Sequence, residues 1–230
     1  MKMTKTKLAK GFTLVELLVV IAIIAALAAL STPVVLKQQK KAAATEAVNN
    51  AKQMFILLFE FDQDRGQYPG AAAVNPSGAV SASSNGVFRE FFLASQVDSE
   101  DLFYCRDGLA VPPDGDISTA ATSPVEDGSC GFRYLWNGTT GFSTTSNSGI
   151  PLIITPADAL APTVVSPFAI NPFGGKAVIL FNDGSVRSNS IVPTAAGAPT
   201  GNVGGTATTN PMLGTYPANG GVTPVALPAT

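Results

Sequence analysis

Glu16 is the only charged residue in an apolar run from Phe12 to Leu36. A carboxylate near the interior of a membrane costs on the order of 2.5–3.5 kcal/mol, so an intramembrane acid ordinarily has a partner. No group of this chain is expected at the depth needed to pair with it. A neighbouring subunit could supply an amine if the chain is cut just before Phe12. That cut removes Lys2, Lys5, Lys7 and Lys10 and exposes a new α-amine four residues from Glu16.

Two further groups of residues could do chemistry. Cys105 and Cys130 are the only cysteines. Asp107, Asp114, Asp116, Glu126 and Asp127 lie between or beside them, and Glu60, Asp62 and Asp64 form a second acidic run. Calcium takes about six to eight oxygens from closely spaced carboxylates and carbonyls. The spacing here fits no defined calcium loop, so the plain reading is an acidic surface and a solvated helix end, with no metal ligand assigned.

Composition excludes much else. The 230 residues contain no His, which removes imidazole bases, Ser-His and Cys-His nucleophile pairs and His metal ligands. Two Cys cannot build an all-thiolate zinc site. Past Phe61 thirteen acids oppose six bases, a net of −7. A field of that sign repels phosphates, so nucleic acid is not an expected partner.

The elements that must position these residues begin with the apolar run. As a helix, Phe12 to Leu36 spans roughly 37 Å at about 1.5 Å per residue, enough for a bilayer core of about 30 Å. The run is longer than the apolar part of a secretory signal and lacks a clear cleavage site at its far end. A plain signal anchor is the simplest reading on hydrophobicity alone. The Lys-rich start stays cytoplasmic by the positive-inside rule, which sends the C-terminal bulk outward.

Gly11-Phe12-Thr13-Leu14-Val15-Glu16, behind a basic leader and ahead of the apolar run, resembles the leader junction of type IV pilins and type II secretion pseudopilins. The resemblance covers residues 1 to about 65. It implies cleavage by prepilin peptidase between Gly11 and Phe12, methylation of the new N-terminal Phe12, and an assembly role for Glu16. It implies partners too: copies of itself and related pilins in a filament, an inner-membrane assembly platform, and membrane lipid. Pro33 lies where pilin stems often loosen on assembly; the other reading is a kink at the membrane exit. Major pseudopilins commonly carry a calcium site in the head, which leaves calcium as a candidate cofactor and otherwise none.

After Pro33 the pattern becomes amphipathic. Ala44, Val48, Ala51, Phe55 and Leu58 recur at helical spacing, and Gly66, Tyr68 and Pro69 mark a stop. Asn85–Gln96 suits a short buried helix. Gly131–Trp136, Leu152–Thr155 and Lys176–Phe181 read as strands. Asn182-Asp183-Gly184-Ser185 predicts a tight two-residue hairpin loop, with Val186–Ile191 returning. In one related group a His stands ten positions before the Asp-Gly; here it is Phe173, so nothing tied to that His carries over. Residues 193–230 are rich in Gly, Ala, Pro and Thr and read as a loop over the head or a mobile tail, with Met212, Leu213 and Tyr216 as docking points.

The expected fold is therefore α+β and pilin-like, a long N-terminal helix on a small antiparallel sheet with long loops. Its parts are a leader (1–11), a transmembrane and filament-core helix (12–36), a stem and head (37–192) and the C-terminal segment (193–230). On the exported side Cys105 and Cys130 would pair, closing a loop of about 25 residues for roughly 3–4 kcal/mol by chain entropy. Two unrelated buried thiols are the other reading. The expected function is a structural, non-enzymatic subunit of a type II secretion-type pseudopilus, held in the inner membrane with its head in the periplasm. A pilin for adhesion or motility and a membrane-anchored binding module are the alternatives. An anchored enzyme is disfavoured.

Overall fold

The computed structural model describes residues 13–70, 74–79, 84–106, 110–118, 124–125, 129–136, 142–156, 168–193, 200–203 and 223–224. The chain divides into two compact units, Met1–Gln39 and Lys40–Thr230.

Helix α1, Leu14–Arg65, contributes to both. In the first unit its large apolar residues, from Leu14 to Leu36, are exposed. Such a surface has no core of its own to join. α1 continues through Pro33. Pro33 has no N–H, so the turn before it loses a hydrogen bond. Within that turn Ser31 and Thr32 donate their hydroxyls to Ala28 O at 3.2 and 2.7 Å.

In the second unit α1 turns one stripe inward: Ala43, Ala44, Ala47, Ala51, Met54, Leu58 and Phe61. The stripe runs from small to large residues along the helix. Gly66 ends α1 in the left-handed region (φ 78°), with its N–H bonded to Asp62 O at 2.7 Å. Helix α2, Ser84–Leu93, packs Val87, Phe88 and Phe91 inward. Phe91 meets Phe61 edge-on at 5.8 Å, and Phe88 stacks on Phe103 at 4.9 Å. Phe103 belongs to a short 3-10 turn, Glu100–Phe103.

The strands are β1 (Arg133–Trp136), β2 (Pro151–Thr155), β3 (Phe168–Ala169), β4 (Lys176–Phe181), β5 (Val186–Pro193), β6 (Thr200–Val203) and β7 (Thr223–Pro224). All pairings are antiparallel, in the order β3-β6-β5-β4-β2-β1-β7. The four central strands, β1, β2, β4 and β5, carry the sheet against which the helix packs. Every residue of β2 is buried, and all of β4 except Lys176, so both faces of these strands are covered. The α+β, pilin-like fold expected from the sequence is the one found.

Two local expectations are corrected. The hairpin turn between β4 and β5 is a three-residue loop, not a two-residue one. Gly184 N–H bonds Phe181 O and Phe181 N–H bonds Ser185 O, both at 2.9 Å, and Gly184 is the turn residue with positive φ (74°). This is a type I turn followed by a glycine bulge. Residues 193–230 are also more than loop. Thr200–Val203 pairs with β5 and β3, and Thr223–Pro224 pairs with β1. Backbone pairing on a sheet edge needs no apolar side chains, so composition gave no sign of it. Met212, Leu213 and Tyr216 lie outside the described residues.

Candidate processing and assembly site

Gly11 and Phe12, the expected cleavage junction, lie outside the described residues. The first described residue, Thr13, caps α1. Its hydroxyl accepts the Glu16 N–H at 3.3 Å, and Glu16 returns the contact. Glu16 Oε2 accepts from Thr13 N–H at 2.9 Å and from Thr13 Oγ1 at 2.7 Å. This reciprocal arrangement is a capping box, which satisfies donors that a helix start leaves open. The carboxylate also lies in the first turn, where the helix dipole favours negative charge.

The expectation that Glu16 has no partner in its own chain is thus corrected. The Thr-x-x-Glu signature was present at Thr13 and Glu16 and marks such a box. Hydrogen bonds from Thr13 solvate the carboxylate without neutralising it.

Among the described residues, α1 is the one helix long and apolar enough to cross a membrane. Residues 6–32 match the prokaryotic N-terminal methylation motif. No curated protein and no solved structure matches the chain. The match supports a prepilin leader of the type IV pilin and pseudopilin type. Proteins with this motif are structural subunits that assemble with other pilins after cleavage by prepilin peptidase. The leader and the apolar helix fit a single-pass, membrane-anchored protein.

In the second unit the other candidate residues are held as follows. Cys105 and Cys130 are both buried, and both are thiols in this structure. Cys105 Sγ lies 3.6 Å from Thr155 Oγ1, and Cys130 S–H donates to Phe132 O at 3.0 Å. Burial pushes the Cys105 thiol up to about 12, against a weaker downward pull from the Thr155 contact. Burial raises Cys130 further.

The acids are scattered in their roles. Asp114 Oδ1 and Asp116 Oδ1 each accept a backbone N–H two residues on, at 2.8 and 2.9 Å, which shapes the loop. Asp62 Oδ2 accepts from Thr144 N–H at 3.1 Å and from its hydroxyl. Asp107, Glu126 and Asp127 lie outside the described residues. Among the described residues no three acids or cysteines converge as a metal site would require.

Sequence reasoning missed a buried polar hub at Asn182. Its Oδ1 accepts from Tyr68 Oη at 2.8 Å, and its Nδ2 donates to Ser143 O at 3.1 Å and Ser146 O at 2.9 Å. It ties the segment after α1 to the hairpin and to the 142–150 loop. An Asn beside Asp-Gly reads as turn residue, so its long-range partners left no local signal.

Proposed function

We propose that the protein is a structural subunit of a type II secretion-type pseudopilus. Prepilin peptidase cuts between Gly11 and Phe12 and the new N-terminus is methylated. The subunit waits in the inner membrane with its head in the periplasm and then enters a helical filament that drives protein export. The observation that carries this reading is the methylation motif over residues 6–32, together with a helix whose large apolar residues from Leu14 to Leu36 are exposed.

The chemistry of assembly follows from Glu16. In the waiting subunit Thr13 holds the carboxylate by hydrogen bonds alone. In the growing filament the α-amine of Phe12 on an adjoining copy approaches it. Both charges are then paired as the stem leaves lipid for a bundle of stems; a buried charge pair is tolerated only when it is matched and hydrogen-bonded, and Thr13 supplies the hydrogen bonds. On the head half of α1, Ile56 and Phe59 remain 63% and 47% exposed, one turn apart. They extend the apolar surface available to a neighbouring copy.

The net charge of −7 past Phe61 weighs against a filament that captures DNA through its heads. Deleting the gene tests the reading: secreted enzymes should remain in the periplasm while surface motility persists. Loss of motility with secretion intact would assign the subunit to a pilus instead.

A further inference from the structure

Without residues 1–11 the chain keeps five lysines: Lys37, Lys40, Lys41, Lys52 and Lys176. Three of them stand within five residues of Leu36, where the apolar run ends. The positive-inside bias works against cations at the exported end of a span, so cations placed there need a use. Lys176 is the only lysine past Lys52. The fold of the second unit brings it back toward Lys40 and Lys41.

Gly174 makes the approach. It lies against α1, where a Cβ in its place would stand 4.0 Å from Lys40 Cβ. Gly174 and Gly175 both have positive φ, 64° and 82°, so the loop turns tightly beside the helix. Lys176 follows at the exposed first position of β4. Gly175 O accepts from Ile191 N–H at 2.8 Å, which draws the end of β5 to the same place. Next to Ile191, Val192 is 48% exposed. Lys41 is exposed and Lys40 half-buried. One end of the second unit therefore carries Lys40, Lys41, Lys176 and an exposed valine.

No acid interrupts this end among the described residues: 31–45, 168–176, 188–193 and 200–203 contain none. Glu46, the next acid along α1, is paired with Arg106 at 3.7 Å. The head as a whole is acidic, with a net of −7 past Phe61 even with Lys176 counted. An anionic surface attracts such an end and repels the remainder, so it would also orient the head. Lys40 stands four positions past Leu36. That is a reach of at most about 14 Å however the chain runs, and about 6 Å as helix.

We propose that this end of the head docks on anionic phospholipid at the outer surface of the inner membrane. The lysine ammonium groups take the lipid phosphates, and Val192 enters the interface beside them. This rests on the anchored, exported head of the proposed function and goes beyond it. The waiting subunit is held by its head as well as by its apolar helix, and it must release these phosphates to enter the filament.

The full chain from its native envelope, placed in lipid nanodiscs, tests this by reductive methylation with formaldehyde, read by mass spectrometry. The discs are phosphatidylcholine alone, or phosphatidylcholine and phosphatidylglycerol in equal parts. Lys176 is the reporter, because its position in the sequence does not tie it to the bilayer. It should react at least about fivefold more slowly in the anionic discs, with Lys52 unchanged within about twofold, and added salt should erase the difference. In a chain with Lys40→Gln and Lys41→Gln, Lys176 should return to its neutral-disc rate. A rate that stays slow in that variant would separate Lys176 from the α1 lysines and overturn the shared site. Equal Lys176 rates in the two discs, on a chain that begins at Phe12, would overturn the docking and leave the filament reading standing. Slow reaction in both discs alike would put a protein surface, such as a second copy, over the lysines and overturn the lipid as occupant. A chain that does not enter the discs at all would overturn both readings.

Discussion

Thr13 and Glu16 hold each other at the start of α1, with the Thr13 hydroxyl accepting the Glu16 N–H and the Glu16 carboxylate taking both Thr13 donors. One acid thereby has two separable jobs. It caps its own helix, and in the proposed filament it meets the amine of an adjoining copy.

Glu16→Gln separates the jobs. The amide oxygen can still accept from Thr13, but the charge is gone. Leader cleavage and membrane insertion should be unchanged, while filament yield in sheared or pelleted fractions should fall to near nothing. Thr13→Ala does the reverse: it removes the cap, at about 0.5–2 kcal/mol, and keeps the charge. It should still assemble, because the backbone N–H of residue 13 remains to hydrogen-bond the Glu16 carboxylate. Normal filaments from Glu16→Gln would leave capping as the only role of the acid.

Gly184→Ala should destabilise the head by about 1–3 kcal/mol. Two causes act together. The turn needs a left-handed residue, and a Cβ there would lie 2.7 Å from Phe55 Cε1. Replacing Phe55 by Ala removes the second cause alone. Gly184→Ala should therefore cost less in a Phe55→Ala background than in the parent, measured by urea unfolding.

Ser95→Gly should stabilise the head by about 0.5–1 kcal/mol. Ser95 ends α2 at φ 58°, with Gln96 N–H on Phe91 O and Ser95 N–H on Phe92 O, both at 2.9 Å. This end motif ordinarily carries glycine. A rise in the midpoint of thermal unfolding is the expected result.

Ile56→Asp with Phe59→Asp should leave the fold intact, because both side chains face outward. Filament formation should drop several-fold. Circular dichroism of the purified chain checks the first statement, and filament yield checks the second.

Much of this architecture could be read from the residues alone. The stem is visible because Leu17–Leu30 carries no polar side chain, and the head half because Ala44, Ala51 and Leu58 repeat at helical spacing. Strands β2 and β4 are visible because Leu-Ile-Ile and Ala-Val-Ile-Leu-Phe are continuous β-prone runs. What was not visible has physical reasons. β3 is two residues long, and β6 and β7 join the sheet through backbone groups that any sequence possesses. The Tyr68–Asn182 bond spans 114 positions, beyond any local pattern. The Thr13–Glu16 box was legible, but an acid read only for its charge conceals its hydrogen bonds.

The most direct measurement is the mass of the N-terminal peptide from chain recovered in assembled or secretion-competent form. The account predicts a peptide that begins at Phe12, carries one methyl group on its amine and includes Glu16. A functional chain whose N-terminal peptide still begins at Met1 would contradict it, because no amine would then stand four residues from the acid.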